Sequence, residues 1–547
     1  MTELTICTIV SANYLPYARV LGESVREHHP EARFVVLLVD RVDGRFDPDE
    51  EDFELIEVER LSTLDDPLPF LFKYTVLEAN TAVKPALLKQ LFADGARRLV
   101  YLDPDIQLFR PLERVLELLE TNDIVLTPHL TTPIDDDRYP SELDIMRSGT
   151  YNLGFIAMSA GDTADRMLDW WGDRIFDRCV SRVEQGLFTD QKWIDLVPGL
   201  YRDVAILPDP GYNVAYWNLH GREVRLGEPI EVNGEPLVFF HFSGIDPRHL
   251  EEVSKHQNRF RLADLGDAAE LITRYSGLLR SHGYEEAAGW KYAYSDFDDG
   301  TPIPEVARDL YRSMTGERDR FDNPFAVADG FKDWINRPHG AMSGGLTRLL
   351  HHLWSTQTHF QIAFSDPAGR HFHSYLEWLE RDGERAYGLS PEFITPLKRR
   401  PGAGSLFRLP SLRHLFWTFW GSWPMRTTRN TVRRWVGERR WMEMKRRVRG
   451  PAAVAASQPN PDNAATAPEI ELPSGVNVLG YLRTESGVGE SARCLIKALD
   501  AAEVKLSFTD IDLGVHSRRQ DVSVEDSKDD VDHAVNLMVV NADQVSI

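Results

Sequence analysis

An α/β fold with a mostly parallel sheet flanked by helices is what residues 1–262 predict. Three observations lead there. Apolar strand-like runs alternate with helical stretches. The runs are mostly apolar, as strands covered on both faces require. Two of them end on an acidic residue at their carboxyl side, as "RFVVLLVD" ends on Asp40. In order, "LTICTIVSA" is a strand and "YARVLGESVREHHP" a helix ending at a proline. "RFVVLLVD" is the next strand, "KPALLKQLFADGA" a helix stopped by Gly95, and "RRLVYLDPD" and "NDIVLTPH" are two further strands. Ligands of such sheets bind outside the carboxyl ends of the strands.

At 547 residues the chain exceeds one ordinary core. From 263 to 395 helical periodicity dominates, as in "AAELITRYSGLLRSHGY" and "GLTRLLHHLWSTQTHFQIAF", and predicts a helical extension. From 396 to 450 the chain is basic and aromatic. Between Leu397 and Gly450 stand 15 Lys and Arg against 2 acidic residues, with "LFWTFWGSWP", Trp435 and Trp441 among them. Such an arm suits an anionic membrane surface or, equally, the acidic body of its own chain. Residues 451–472 are rich in Pro, Ala and Asn and predict a linker. From 473 to 547 a strand, a glycine-bearing turn, a helix and a strand begin another α/β domain, and about 75 residues leave it incomplete.

The formal charge of −23 argues against nucleic-acid binding, which needs Lys and Arg at the phosphates. Cys7, Cys179 and Cys494 have no metal-ligand spacing and predict no disulfide framework, which fits a reducing compartment. The first residues read as a strand and no run is apolar enough to span a bilayer, so the expected location is cytoplasmic, with peripheral attachment to the inner membrane face through the basic arm.

The chemistry centres on "LVYLDPDIQLF". Residues i and i+2 of a strand project to one side, so Asp103 and Asp105 would repel unless a cation lay between them. Hard oxygen ligands suit magnesium or manganese. Pro104 cannot donate to a ladder and belongs at a strand end. "PLVFFHFSG" places His241 at another strand end, and an imidazole ligand shifts preference toward manganese.

The D-x-D strand, "YNLGFIAMS", "TDQKWID" and "FFHFSG", in that order and with "VKPALLKQLF" upstream, resemble the GT-A fold nucleotide-sugar glycosyltransferases, closest to family 8. The resemblance implies Mn2+ or Mg2+ held by Asp103, Asp105 and His241. It implies a nucleoside-diphosphate sugar as donor and a saccharide or lipid-linked acceptor. Donor contacts would come from Asn13, Tyr14, Lys84, Asn152, Gly154, Ser243 and Gly244. Asp190 and Gln191 would sit at the anomeric centre of a retaining reaction, with a role in cell-envelope polysaccharide or glycolipid synthesis. The family's Lys-Pro-Trp segment is missing after "HFSG", where Arg248 or Lys255 stands nearby. The tail "GVNVLGYLRTESGVGESAR" resembles the start of a GT-B, family 4-like, glycosyltransferase, with Gly487 and Gly489 before a helix.

Other readings start from the same residues. An aspartyl phosphohydrolase needs a small hydroxyl residue two places after its second Asp, where Gln107 stands. A nucleotidyltransferase needs a glycine-rich basic loop near the amino terminus. A non-catalytic sugar- or membrane-binding scaffold would keep its function without Asp103 and Asp105.

Overall fold

The computed structural model describes residues 3–328, 330–340, 345–398, 476–480, 496, 499, 505–510 and 535–539. The chain divides into two units, Met1–Thr428 and Arg429–Ile547.

The first unit is α/β, built on a seven-stranded sheet. Its strands are β1 (Leu4–Val10), β2 (Arg33–Leu38), β3 (Glu54–Glu57), β4 (Arg98–Leu102), β6 (Ile124–Pro128), β7 (Tyr151–Ser159) and β8 (Val204–Ile206). The order is β8-β6-β7-β4-β1-β2-β3. All neighbours are parallel except β7, which runs against both β4 and β6. β1 is buried along its whole length, Thr5 and Thr8 included, so the strand is covered on both faces.

Sequence dictates where the helices start and stop. α1 (Leu15–His28) carries Pro16 in its first turn and ends two residues before Pro30. α2 (Lys84–Ala93) has Pro85 in its first turn and stops before Gly95, whose φ is 97°. Alternation of strand and helix thus puts the carboxyl ends of β1, β2 and β4 on one edge of the sheet. The reversed strand β7 brings its amino end, Tyr151–Gly154, to the same edge.

Past β4 the chain leaves the large sheet. Asp103 to Asp105 form a turn, closed by the Ile106 N–H donating to the Asp103 carbonyl at 3.1 Å. The short strand β5 (Ile106–Leu108) then pairs antiparallel with β9 (Phe239–His241), with His241 opposite Ile106. The two aspartates are therefore corners of a turn. Strand alternation, assumed from the sequence, does not set their direction; the turn and the β5–β9 ladder do.

Helices follow from Asp267 to Lys398, among them α3 (Asp267–Ser281) and α4 (Glu305–Ser313). Their apolar faces share a core with one face of the sheet and with Phe72, which meets Tyr311 at 5.0 Å, Phe325 at 5.0 Å and Phe331 at 5.2 Å between ring centres. Among the described residues no helix is long and apolar enough to cross a membrane.

The second unit shows a parallel sheet of β10 (Val476–Gly480), β11 (Leu506–Asp510) and β12 (Val535–Val539), with β10 in the middle. The linker, the Gly487–Gly489 turn and the basic arm beyond Lys398 lie outside the described residues.

Candidate functional site

Asp103, Asp105 and His241 converge at the carboxyl edge of the sheet. One ligand atom from each lies within 4.8 Å of the others, the single such His/Cys/Asp/Glu group among the described residues. His241 Nε2 stands 2.9 Å from Asp105 Oδ1 and 3.8 Å from Asp103 Oδ2. The imidazole is buried at 3% exposure, while the Asp103 carboxylate is 32% exposed and offers a path from solvent. Tyr101 donates its hydroxyl to Asp103 Oδ1 at 2.7 Å, and the Asp103 N–H donates to the Gly154 carbonyl at 2.7 Å. Burial raises the Asp103 carboxyl above its ordinary range, opposed by Lys84 and His241 and aided by Asp105. Burial lowers His241, but Asp105 and Asp103 outweigh it and the ring ends raised.

The trio fits a divalent cation. Two carboxylates and an imidazole are a mixed oxygen and nitrogen donor set of the kind that takes manganese or magnesium. The cradle is also specific: a Cβ at residue 154 would fall 2.7 Å from His241 Nδ1 and 2.8 Å from Asn152 Oδ1. Only glycine lets the ring lie against β7.

The short segment Asn152–Gly154 carries most of the remaining site. Gln191, the first residue of the short helix Gln191–Ile194, accepts from the Leu153 N–H at 3.0 Å and donates to the Ser148 carbonyl at 2.8 Å. Lys84 donates to the Leu153 carbonyl at 2.9 Å, pairs with Asp190 Oδ2 at 2.7 Å and lies 4.2 Å from the centre of the Tyr101 ring. Asp190 caps nothing; its carboxylate is spent on Lys84 and on the Thr189 hydroxyl at 3.2 Å. Asn152 spans His241 and His129, at 3.1 and 3.3 Å. Lys84 and Asn152, expected at the donor, have their polar atoms engaged by protein.

On the other flank, the Ser11 hydroxyl donates to Asn13 Oδ1 at 2.7 Å. Tyr14 stacks on Tyr17, with centres 4.5 Å apart and planes 19° apart. Burial, with Asp105 next, pushes the Tyr14 hydroxyl up to about 12. Ser243 and Gly244 are half-buried. Gly244 has φ 72°, and a Cβ there would fall 2.5 Å from His256 Cδ2. Arg248 is exposed and its guanidinium is taken by Asp246, with two contacts of 2.9 Å; Lys255 is exposed.

Sequence reasoning missed four residues. His129 ends the run "NDIVLTPH" but has no motif of its own. Trp217 lies edge-on to both His129 and His241, at 5.2 and 5.1 Å. Tyr101 sits inside the quoted strand. Asp40 ends "RFVVLLVD" and accepts from the Ala12 N–H at 3.1 Å and the Ala293 N–H at 3.0 Å, tying the Ser11–Tyr14 loop to the helical region. Only Asp40, an acid ending an apolar run, carried a signal.

No family model matches the chain. It is 24% identical over 264 residues to the uncharacterized protein YfnF of Bacillus subtilis strain 168, covering 46% of this chain and 84% of YfnF. It is 25% identical over 251 residues to YfnD of the same organism, covering 45% and 78%. Among solved structures it is similar to the galactosyltransferase LgtC, crystallised with donor and acceptor sugar analogs, at 18% identity, 50% of this chain, 95% of LgtC and a TM-score of 0.31. It is similar also to the glycosyltransferase GlyE of Streptococcus pneumoniae TIGR4, at 13% identity, 54% and 67% coverage and a TM-score of 0.31.

Proposed function

We propose that the amino-terminal α/β region is a metal-dependent glycosyltransferase that moves a sugar from a nucleoside-diphosphate donor to a saccharide or lipid-linked acceptor. The observation that carries this is the meeting of Asp103, Asp105 and His241 at the carboxyl edge of a mostly parallel sheet, with Gln191 and the Asp190-paired Lys84 both bonded to the Leu153 backbone between Asn152 and Gly154, against which His241 lies. Asp103, Asp105 and His241 would hold manganese or magnesium, which supplies Lewis-acid neutralisation of a leaving diphosphate.

This chain's own residues do the rest. Tyr14, which feels the Asp105 charge, and Asn13 would contact the nucleoside, with Ser243 and Gly244 as further donor contacts. Gln191 and Asp190, held by the Leu153 N–H, the Ser148 carbonyl and Lys84, would set the field around the anomeric carbon as positive charge develops there. Lys84 orients Asp190, and the backbone of Gly154 aligns Asp103. A retaining course needs no separate carboxylate nucleophile. A place in cell-envelope polysaccharide or glycolipid synthesis, at the inner membrane face, follows from the basic aromatic arm at 396–450 if that arm meets anionic lipid.

The test is a screen of nucleotide sugars for manganese-dependent hydrolysis and thermal stabilisation, with Asp103→Asn/Asp105→Asn as the control. The expected result is a metal-linked response in the wild type that the double variant loses. A wild type that answers neither to metal nor to any nucleotide sugar overturns the reading.

A further inference from the structure

We propose that Asn152 and His129 are positioning residues that fix which nitrogen of His241 faces the two aspartates. The proposal rests on the metal-site reading above and adds a role for two residues outside the Asp103, Asp105 and His241 trio.

A carboxamide has one accepting and one donating end. Asn152 is buried between two imidazoles, with Oδ1 3.1 Å from His241 Nδ1 and Nδ2 3.3 Å from His129 Nε2. An amide oxygen only accepts, so in this orientation His241 Nδ1 carries the hydrogen. Nε2, 2.9 Å from Asp105 Oδ1, is then the nitrogen that gives up its hydrogen when a cation takes the ring, and its lone pair would face Asp103 and Asp105. Turned over, the amide would present its NH2 to His241 Nδ1 and force the hydrogen onto Nε2, where it would block a ligand bond.

His129 selects between the two orientations. The ring is buried, and burial drives its pKa down to about 4, so it is neutral near pH 7. Its Nδ1 is buried and makes no hydrogen bond of its own, so Asn152 at Nε2 is the polar partner of this ring. With the ring hydrogen at Nδ1, Nε2 accepts from the Asn152 amide and keeps Oδ1 on His241. Trp217, 3% exposed and edge-on to both imidazoles, and Gly154, with no room for a Cβ, hold the ring planes that make this line work. Partners one step out from a metal ligand commonly act in this way.

The experiment is Mn2+ affinity of the full chain, read from the free-ion electron paramagnetic resonance signal, with the thermal midpoint of each variant as folding control. Asn152→Leu should bind Mn2+ about 10–100-fold more weakly than wild type. Asn152→Asp should bind near wild type, because a carboxylate accepts from His241 whichever way it turns. His129→Phe should weaken binding in the Asn152 background and leave it unchanged in the Asn152→Asp background. Wild-type affinity in Asn152→Leu, or equal weakening by His129→Phe in both backgrounds, overturns the proposal and leaves the metal site standing. A wild type that takes up no Mn2+ overturns the metal-site reading itself, and this proposal with it.

Discussion

Lys84 Nζ and Asp190 Oδ2 form an ion pair at 2.7 Å with both side chains almost wholly buried, 2% and 3% exposed. It joins the first turn of α2 to the residue before Gln191, 106 positions along the chain by their numbers, and so couples the helix ahead of the D-x-D turn to the segment proposed at the anomeric centre. A charge in this position is tolerated only while its partner is present.

Removing one partner should therefore cost more than removing both. Lys84→Met should lower stability by roughly 3–5 kcal/mol. Lys84→Met/Asp190→Leu should recover part of that loss. Urea unfolding of the single and double variants checks this, and a double variant that is simply the sum of the singles would remove the pair as an energetic unit.

Gly154→Ala should act on the site before it acts on the fold. The added methyl meets the His241 ring and Asn152 Oδ1, so the imidazole must swing off β7. A stability loss of about 1–3 kcal/mol is the overpacking range. The Mn2+-linked thermal shift should disappear in the same variant while Gly161→Ala, at a position with open space around it, keeps both. Differential scanning fluorimetry with and without MnCl2 reads the two effects together.

The pH dependence of stability has a sign set by His129. Its folded pKa, about 4, lies below its ordinary value of 6.5 because burial disfavours the charged ring. Between those values the unfolded chain binds a proton that the folded chain refuses. Stability contributed by this group is intact above pH 6.5 and falls as pH drops toward 4, by at most on the order of 3 kcal/mol. His129→Phe should flatten that limb of the curve, measured as unfolding free energy at a series of pH values; an unchanged slope would assign the acid sensitivity elsewhere.

Much of this was legible from the chain alone, for identifiable reasons. The runs that became β1, β2, β4 and β6 are mostly apolar because their strands are covered on both faces, and α1 and α2 are bounded by proline and glycine. Asp103, Asp105 and His241 could be picked out because acids and a histidine at the ends of apolar runs are conspicuous. Their geometry could not, since it depends on a turn and on the pairing of β5 with β9 across more than 130 residues. Nor could the engagement of Lys84 by Asp190 or of Asn152 by His129: these are contacts between distant segments, and local pattern says nothing about which polar side chains will face each other. The reversed strand β7 is the clearest case. "YNLGFIAMS" reads as a strand, but only the sheet order shows that its first residues share an edge with the last residues of β4.

The last prediction concerns the helical residues beyond 262. Phe72 precedes the D-x-D turn by some thirty positions, yet its ring meets Phe297, Tyr311, Phe325 and Phe331, all from the helical region. The buried guanidinium of Arg308 donates to the Phe72 carbonyl at 3.0 Å and to the Tyr294 carbonyl at 2.8 Å. Burial lowers Arg308 to about 10, still well above neutrality, so it stays charged on those carbonyls. Sheet and helices that share one aromatic core should lose structure together. Phe72→Ala should cost about 3–5 kcal/mol and shift sheet and helix signals by the same amount. Hydrogen exchange followed at β1 and β4 and at α4 in the same sample measures this: equal loss of protection fits a shared core, whereas loss confined to α4 would make the helices a separately folding layer.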